Sequence, residues 1–123
     1  MKVLLSINPE YVEKIFSGEK KYEFRRNIFK NKDVNTVIIY STSPVKRIVG
    51  EFTVKKIIKD LPSNLWELSP ECTGISKEKF YKYFKNKKEG YAIEIGKVKR
   101  YPTLKKIEEY SLKVAPQSFV YIP

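Results

Sequence analysis

The feature that most constrains this chain is a succession of short segments in which apolar and polar side chains alternate. Such alternation places successive side chains on opposite faces of a strand. Within 123 residues, residues 20–26, 48–55 and 91–95 read in this way; 34–40 is a near-continuous β-branched run, and 3–7 and 118–122 have strand composition, giving five or six strands. Only two or three segments carry helical spacing. Asn8 is a good helix cap and Pro9 suits the first helical position, where a missing N–H costs nothing. Tyr11, Val12, Ile15 and Phe16 then share one face, and Gly18 supplies a C-terminal cap. Ser76 can cap a helix with Phe80, Tyr81 and Phe84 on its apolar face. Pro62-Ser63-Asn64 before Leu65-Trp66 suggests a short helix within 61–71, and residues 104–110 one short helical turn or two. Gly50, inside a long alternating run, marks a bulge or a tight bend.

The strands do not alternate regularly with long helices, which argues against a doubly wound parallel sheet. The pattern predicts an α+β fold built on a small, mostly antiparallel β-barrel of five or six strands with two or three flanking helices. No internal repeat, low-complexity tract or linker interrupts it, so one domain is expected over residues 1–123. A chain of this length buries roughly two-thirds of its unfolded surface and needs neither disulfide nor metal to fold.

Charge narrows the partners. Lys and Arg number 25 against 14 Asp and Glu, a formal net charge of +11. The surplus is spread over both halves: 13 basic and 7 acidic residues lie in 1–60, and 12 and 7 in 61–123. This describes a basic surface rather than a basic tail, and such a surface favours polyanions. The chain has no His, which excludes Ser-His, Cys-His and His-metal chemistry. The single cysteine, Cys72, forms no internal disulfide and reads as a small core residue. The acids are scattered, so no metal site is legible and no cofactor is expected. The start lacks the apolar length of a signal peptide and no run reaches the ~18 residues of a membrane span. A cytoplasmic protein without a membrane role is expected.

The densest chemistry lies in residues 17–26, Ser-Gly-Glu-Lys-Lys-Tyr-Glu-Phe-Arg-Arg. Glu23 and Arg25 stand two apart on a strand and project from one face. A carboxylate beside a guanidinium is held ionised, and the planar Arg fork can grip a phosphate or a base edge. Lys20 is out of phase with them by strand parity. It joins them only if Gly18 and Glu19 belong to a curving loop. The bland reading is an in-strand salt bridge that binds nothing, although exposed pairs contribute only ~0–1 kcal/mol.

Gly18, Lys20, Glu23 and Arg25 match the G-x-K-x-x-E-x-R signature of the ASCH family in the PUA-like superfamily, which this chain resembles. Leu5-Ser6-Ile7 before the first helix and Ile39-Tyr40-Ser41 after it extend the likeness. The resemblance implies a PUA-like barrel that binds nucleic acid, more readily RNA than DNA, and takes a nucleotide-sized or modified-nucleoside ligand beside Lys20, Glu23 and Arg25. It also implies two enzymatic alternatives, a small amidohydrolase acting on acylated cytidine and a ribonuclease. Under those alternatives Lys20, Glu23 and Glu71 are the catalytic candidates, with Glu67 a substitute for Glu71. Glu23 stands where the amidohydrolase arrangement has Thr, which removes a hydroxyl. Relatives are also described as transcriptional regulators, but no helix-turn-helix pattern supports that mechanism here.

Further nucleic-acid contacts are expected around this centre. Lys21 and Arg26 flank it. Ser41 and Ser43, with Lys46 and Arg47, place hydroxyls and cations in one turn. Lys97, Lys99 and Arg100 form a basic strand end beside Tyr101, whose ring could stack on a base. Gln117 and Ser118 could read a base edge. Lys77, Lys79, Lys82, Lys85, Lys87 and Lys88 read as a solvated helix face.

Overall fold

The computed structural model describes residues 1–68 and 75–123. Its first unit is a strand, β1 (Lys2–Ile7), followed by helix α1 (Pro9–Ser17). The Asn8 side chain accepts the Glu10 N–H at 2.9 Å, and Gly18 leaves the helix in the left-handed region at φ 85°. That conformation suits a residue without Cβ. Strand β2 (Tyr22–Arg25) follows, then β3 (Thr36–Ser41) and the long β4 (Arg47–Asp60). Two short helices, α2 (Pro62–Trp66) and α3 (Lys77–Tyr83), precede the longer β5 (Gly90–Lys105) and the terminal β6 (Phe119–Ile122).

The six strands form one sheet in the order β2-β5-β4-β3-β1-β6. Pairing is antiparallel except for β1 against β3. Strands of 14 and 16 residues are too long to stay flat within a small domain. Register shifts near Ile48, Phe52 and Val54 bend the β4–β5 pair. One end of that pair carries β3, while the other, around Tyr91–Glu94, carries β2. Gly50 sits where strand meets helix: a Cβ there would lie 2.4 Å from the Lys99 carbonyl and 2.7 Å from the Phe16 ring.

Three apolar clusters hold these layers. Val3, Leu5, Ile7, Val37, Ile39 and Phe52 pack with Val12 and Ile15 of α1. Phe24, Leu65, Phe80, Phe84 and Ala92 join α2 and α3 to the β2 end of the sheet. Leu4, Ile38, Tyr40 and Ile48 pack on the other face beneath the C-terminal segment.

The structure corrects several expectations. The sheet curls but does not close: β2 and β6 are its two edges, so barrel-like describes its curvature only. Among the described residues β2 pairs only with β5, and β6 only with β1. Lys97, Lys99 and Arg100 lie in mid-strand, because β5 runs on to Lys105. The predicted turn at 104–110 contracts to a 3-10 turn at Ile107–Tyr110. Tyr81 faces solvent rather than the core. Glu71 and Cys72 lie outside the described residues.

Candidate functional site

The sheet's curl brings β2 towards β1 and the start of β6. Arg25, on edge strand β2, donates to the carbonyls of Ser6 at 3.4 Å and Ser118 at 3.0 Å. The same guanidinium lies 3.4 Å from Glu23 Oε2. The loop after Gly18 turns back so that the Lys20 N–H reaches the Lys14 carbonyl at 3.0 Å. This turn removes Lys20 from strand parity and sends its side chain inward. Lys20 Nζ donates to the Tyr22 carbonyl and lies 3.6 Å from Glu23 Oε1. The ammonium, carboxylate and guanidinium thus converge on Glu23, each carboxylate oxygen facing one cation.

Lys20 and Glu23 are buried, with exposures of 4% and 6%. Burial pushes the Lys20 amine below its ordinary range, opposed by the Glu23 charge and by its hydrogen bond. Aromatic faces also surround this cation: Nζ lies 5.1 Å from the Phe24 ring centre and 5.7 Å from that of Tyr11.

A pocket of about 180 Å³ opens over the trio. Its walls are Ser6, Ile7 and Asn8 at the end of β1, Tyr11 of α1, Phe24 of β2, and Ile75 and Tyr83 beside and on α3. Burial raises the pKa of both Tyr11 and Tyr83, so their hydroxyls stay protonated at neutral pH. The pocket offers aromatic walls, one buried carboxylate flanked by cations, and hydroxyl donors. That combination can stack a flat heterocycle and accept hydrogen bonds from its amino groups.

The remaining predicted contacts are dispersed. Lys21 is exposed and does not line the pocket, whereas the Arg26 guanidinium donates to the carbonyls of Tyr83 and Lys85 at 2.7 and 3.0 Å. Arg26 therefore clamps the end of α3 onto β2. Ser41 is buried in β3 and Ser43 is exposed. Lys46 and Arg47 line a separate hollow with Tyr40 and Lys106. Lys97 is exposed and Lys99 borders a groove with Lys2 and Tyr101. Arg100 lies over the Phe16 ring and 3.2 Å from Glu13. Gln117 is exposed, and Ser118 presents its carbonyl to Arg25. Among the described residues no cluster of three or more metal-binding side chains occurs.

Sequence reasoning did not assign Ser6, Asn8, Tyr11, Ile75 or Tyr83 to the pocket. Asn8 and Tyr11 carried a helix-cap and a helix-face signal, which explain both residues without a ligand. Tyr83 had no signal: its link to Arg26, 57 residues away, exists only after folding.

Curled sheet, capped α1 and buried Lys–Glu–Arg pocket together define a PUA-like domain. The chain belongs to the ASCH domain family, whose pattern it matches over residues 5–113. It superimposes on the ASCH crystal structure from Zymomonas mobilis with a TM-score of 0.89 at 23% identity, covering 99% of this chain and 87% of that one. It is 29% identical over 92 residues to an ASCH domain-containing ribonuclease from Zymomonas mobilis, covering 75% of this chain and 62% of the relative. It is also similar over 121 residues to two proteins of Ureaplasma parvum serovar 3. These are an ATP synthase subunit alpha (30% identical) and the large ribosomal subunit protein uL22 (29%). The match covers 98% of this chain but only 15% and 39% of those proteins. Among the described residues no helix is long and apolar enough to cross a membrane.

Proposed function

We propose that this chain binds RNA and takes one base into the pocket above Lys20, Glu23 and Arg25. The observation that carries this reading is the buried Glu23 carboxylate at the floor of an aromatic-walled pocket, in a protein of net charge +11. A buried charge trio is a poor device for stability alone, because desolvation offsets most of its Coulomb attraction. Glu23 would accept from a base amino group, Tyr11 and Tyr83 would stack against the ring, and the basic surface would supply sequence-independent attraction. The relative named as a ribonuclease supports RNA as the polymer.

A second reading, RNA cleavage, is favoured by the same relative and by the lowered Lys20 pKa. An amine shifted towards neutrality can move a proton from an attacking hydroxyl. Binding of DNA or of a modified nucleoside, and a regulatory role, have no comparable support.

Titration of labelled single-stranded RNA and DNA tests the binding reading. RNA should bind at low salt, with log affinity falling by ~0.7 per phosphate contact per decade of salt. Tyr11→Ala should weaken binding about tenfold, as expected for loss of one stacked base. A folded wild-type protein that binds no RNA at low salt refutes the reading. Incubation with structured RNA and acylated cytidines separates catalysis from binding: product from wild type but not from Lys20→Ala supports an enzyme.

A further inference from the structure

The pocket has a continuation that the trio does not explain. At about 180 Å³ it falls below the ~300–1,000 Å³ typical of sites that enclose a whole small ligand. It can take a base, but the attached sugar and phosphate must lie outside. A second hollow of about 310 Å³ adjoins it, sharing Tyr11, Ile75 and Tyr83 as common walls. Its outer lining is Lys79 and Lys82 of α3. The two lysines stand three positions apart and so share one face of the helix. Both are exposed, and among the described residues neither takes part in an ion pair. Tyr83 is anchored from behind, its hydroxyl accepting the Arg26 N–H at 3.1 Å. Its ring is therefore a fixed partition between pocket and groove.

The spatial order is buried carboxylate, aromatic partition, open groove, paired cations. We propose that this groove is the exit path of a single-stranded polynucleotide, with the phosphates next to the pocketed base lying on Lys79 and Lys82. The inference rests on the RNA-binding reading and deepens it. It turns part of a lysine-rich helix face from general solubility into a defined backbone track. A single strand is favoured over a duplex, because a paired base must first be unpaired and unstacked to enter the pocket.

The test is fluorescence anisotropy with a labelled RNA hexamer, using wild type, Lys79→Gln/Lys82→Gln, and Lys55→Gln/Lys56→Gln. The last pair removes the same charge from β4, where both lysines lie near Glu94. Two lost phosphate contacts predict a salt slope shallower by ~1.4 and an affinity lower by ~10–30-fold at 0.1 M salt. The Lys55/Lys56 variant should lose less than about threefold. NMR titration with the four ribonucleosides, which carry no phosphate, should give the same pocket shifts in the α3 variant as in wild type.

An α3 variant that loses no more than the β4 variant overturns the inference and leaves the pocket reading standing. A hexamer duplex bound as tightly as the single strand also overturns it. Loss of nucleoside binding in the α3 variant would place the lysines in the pocket itself and refute the track. A wild type that binds neither hexamer nor nucleoside removes both readings.

Discussion

Replacing Glu23 by Gln isolates the physics of the pocket floor. Glu23 stands between Lys20 Nζ, at 3.6 Å, and Arg25, at 3.4 Å. With its charge removed, Lys20 remains 4% exposed, its ammonium still held by the Tyr22 carbonyl and the faces of Phe24 and Tyr11 but no longer balanced by the Glu23 carboxylate. Leaving one member of a buried pair uncompensated costs about 3–5 kcal/mol. For a chain of this size that lowers the melting temperature by about 10–20 °C. The loss should also depend on pH. Unfolded Lys20 holds its proton up to its ordinary 10.5, whereas burial makes the folded amine release it earlier. The destabilisation is therefore full below the folded pKa and fades as pH rises towards 10.5. Glu23 raises the folded value, so in Glu23→Gln the fading begins at lower pH. The gap between variant and wild type should narrow between pH 7 and 9.5. Adding Lys20→Met to Glu23→Gln should restore at least half of the loss at pH 7, since no buried ammonium remains. Thermal melts followed by circular dichroism at both pH values provide the measurement. A Glu23→Gln protein melting within about 3 °C of wild type at pH 7 would refute the reasoning. So would a deficit equally large at pH 9.5.

Two further outcomes follow from the frame around the pocket. Arg25→Lys cannot reproduce the paired donation to Ser6 and Ser118, so it should cost about 1–3 kcal/mol. Amide exchange should accelerate in β6 and leave β3 protected; uniform acceleration, or none, would show that Arg25 does not clasp the sheet edges. Gly50→Ala drives a methyl into the Lys99 carbonyl and the Phe16 ring, and should destabilise by about 1–3 kcal/mol in urea unfolding. An unchanged midpoint would refute that packing.

The first unit of the fold was fully legible. Asn8, Pro9 and Gly18 set the ends of α1, because capping is a matter of residues in direct sequence neighbourhood. Alternation and β-branched or apolar composition together located all six strands but not their lengths. β4 and β5 run far beyond their alternating segments, since bulges shift the side-chain parity on which such a reading depends. Glu23 and Arg25 could be placed on one face by spacing alone. Lys20 could be placed beside them only conditionally, and it is the chain reversal after Gly18, seen in the Lys20 to Lys14 hydrogen bond, that brings it there.

By itself, then, the order of residues determined the element types, the basic surface and the family signature, because these depend on local propensity and on composition. Tertiary structure alone decided that the sheet stays open, that Arg25 spans its edges, and that Tyr83 stands over Glu23 from 60 positions away. Those outcomes depend on how far two long strands bend, a quantity summed over many weak contacts and written in no single motif.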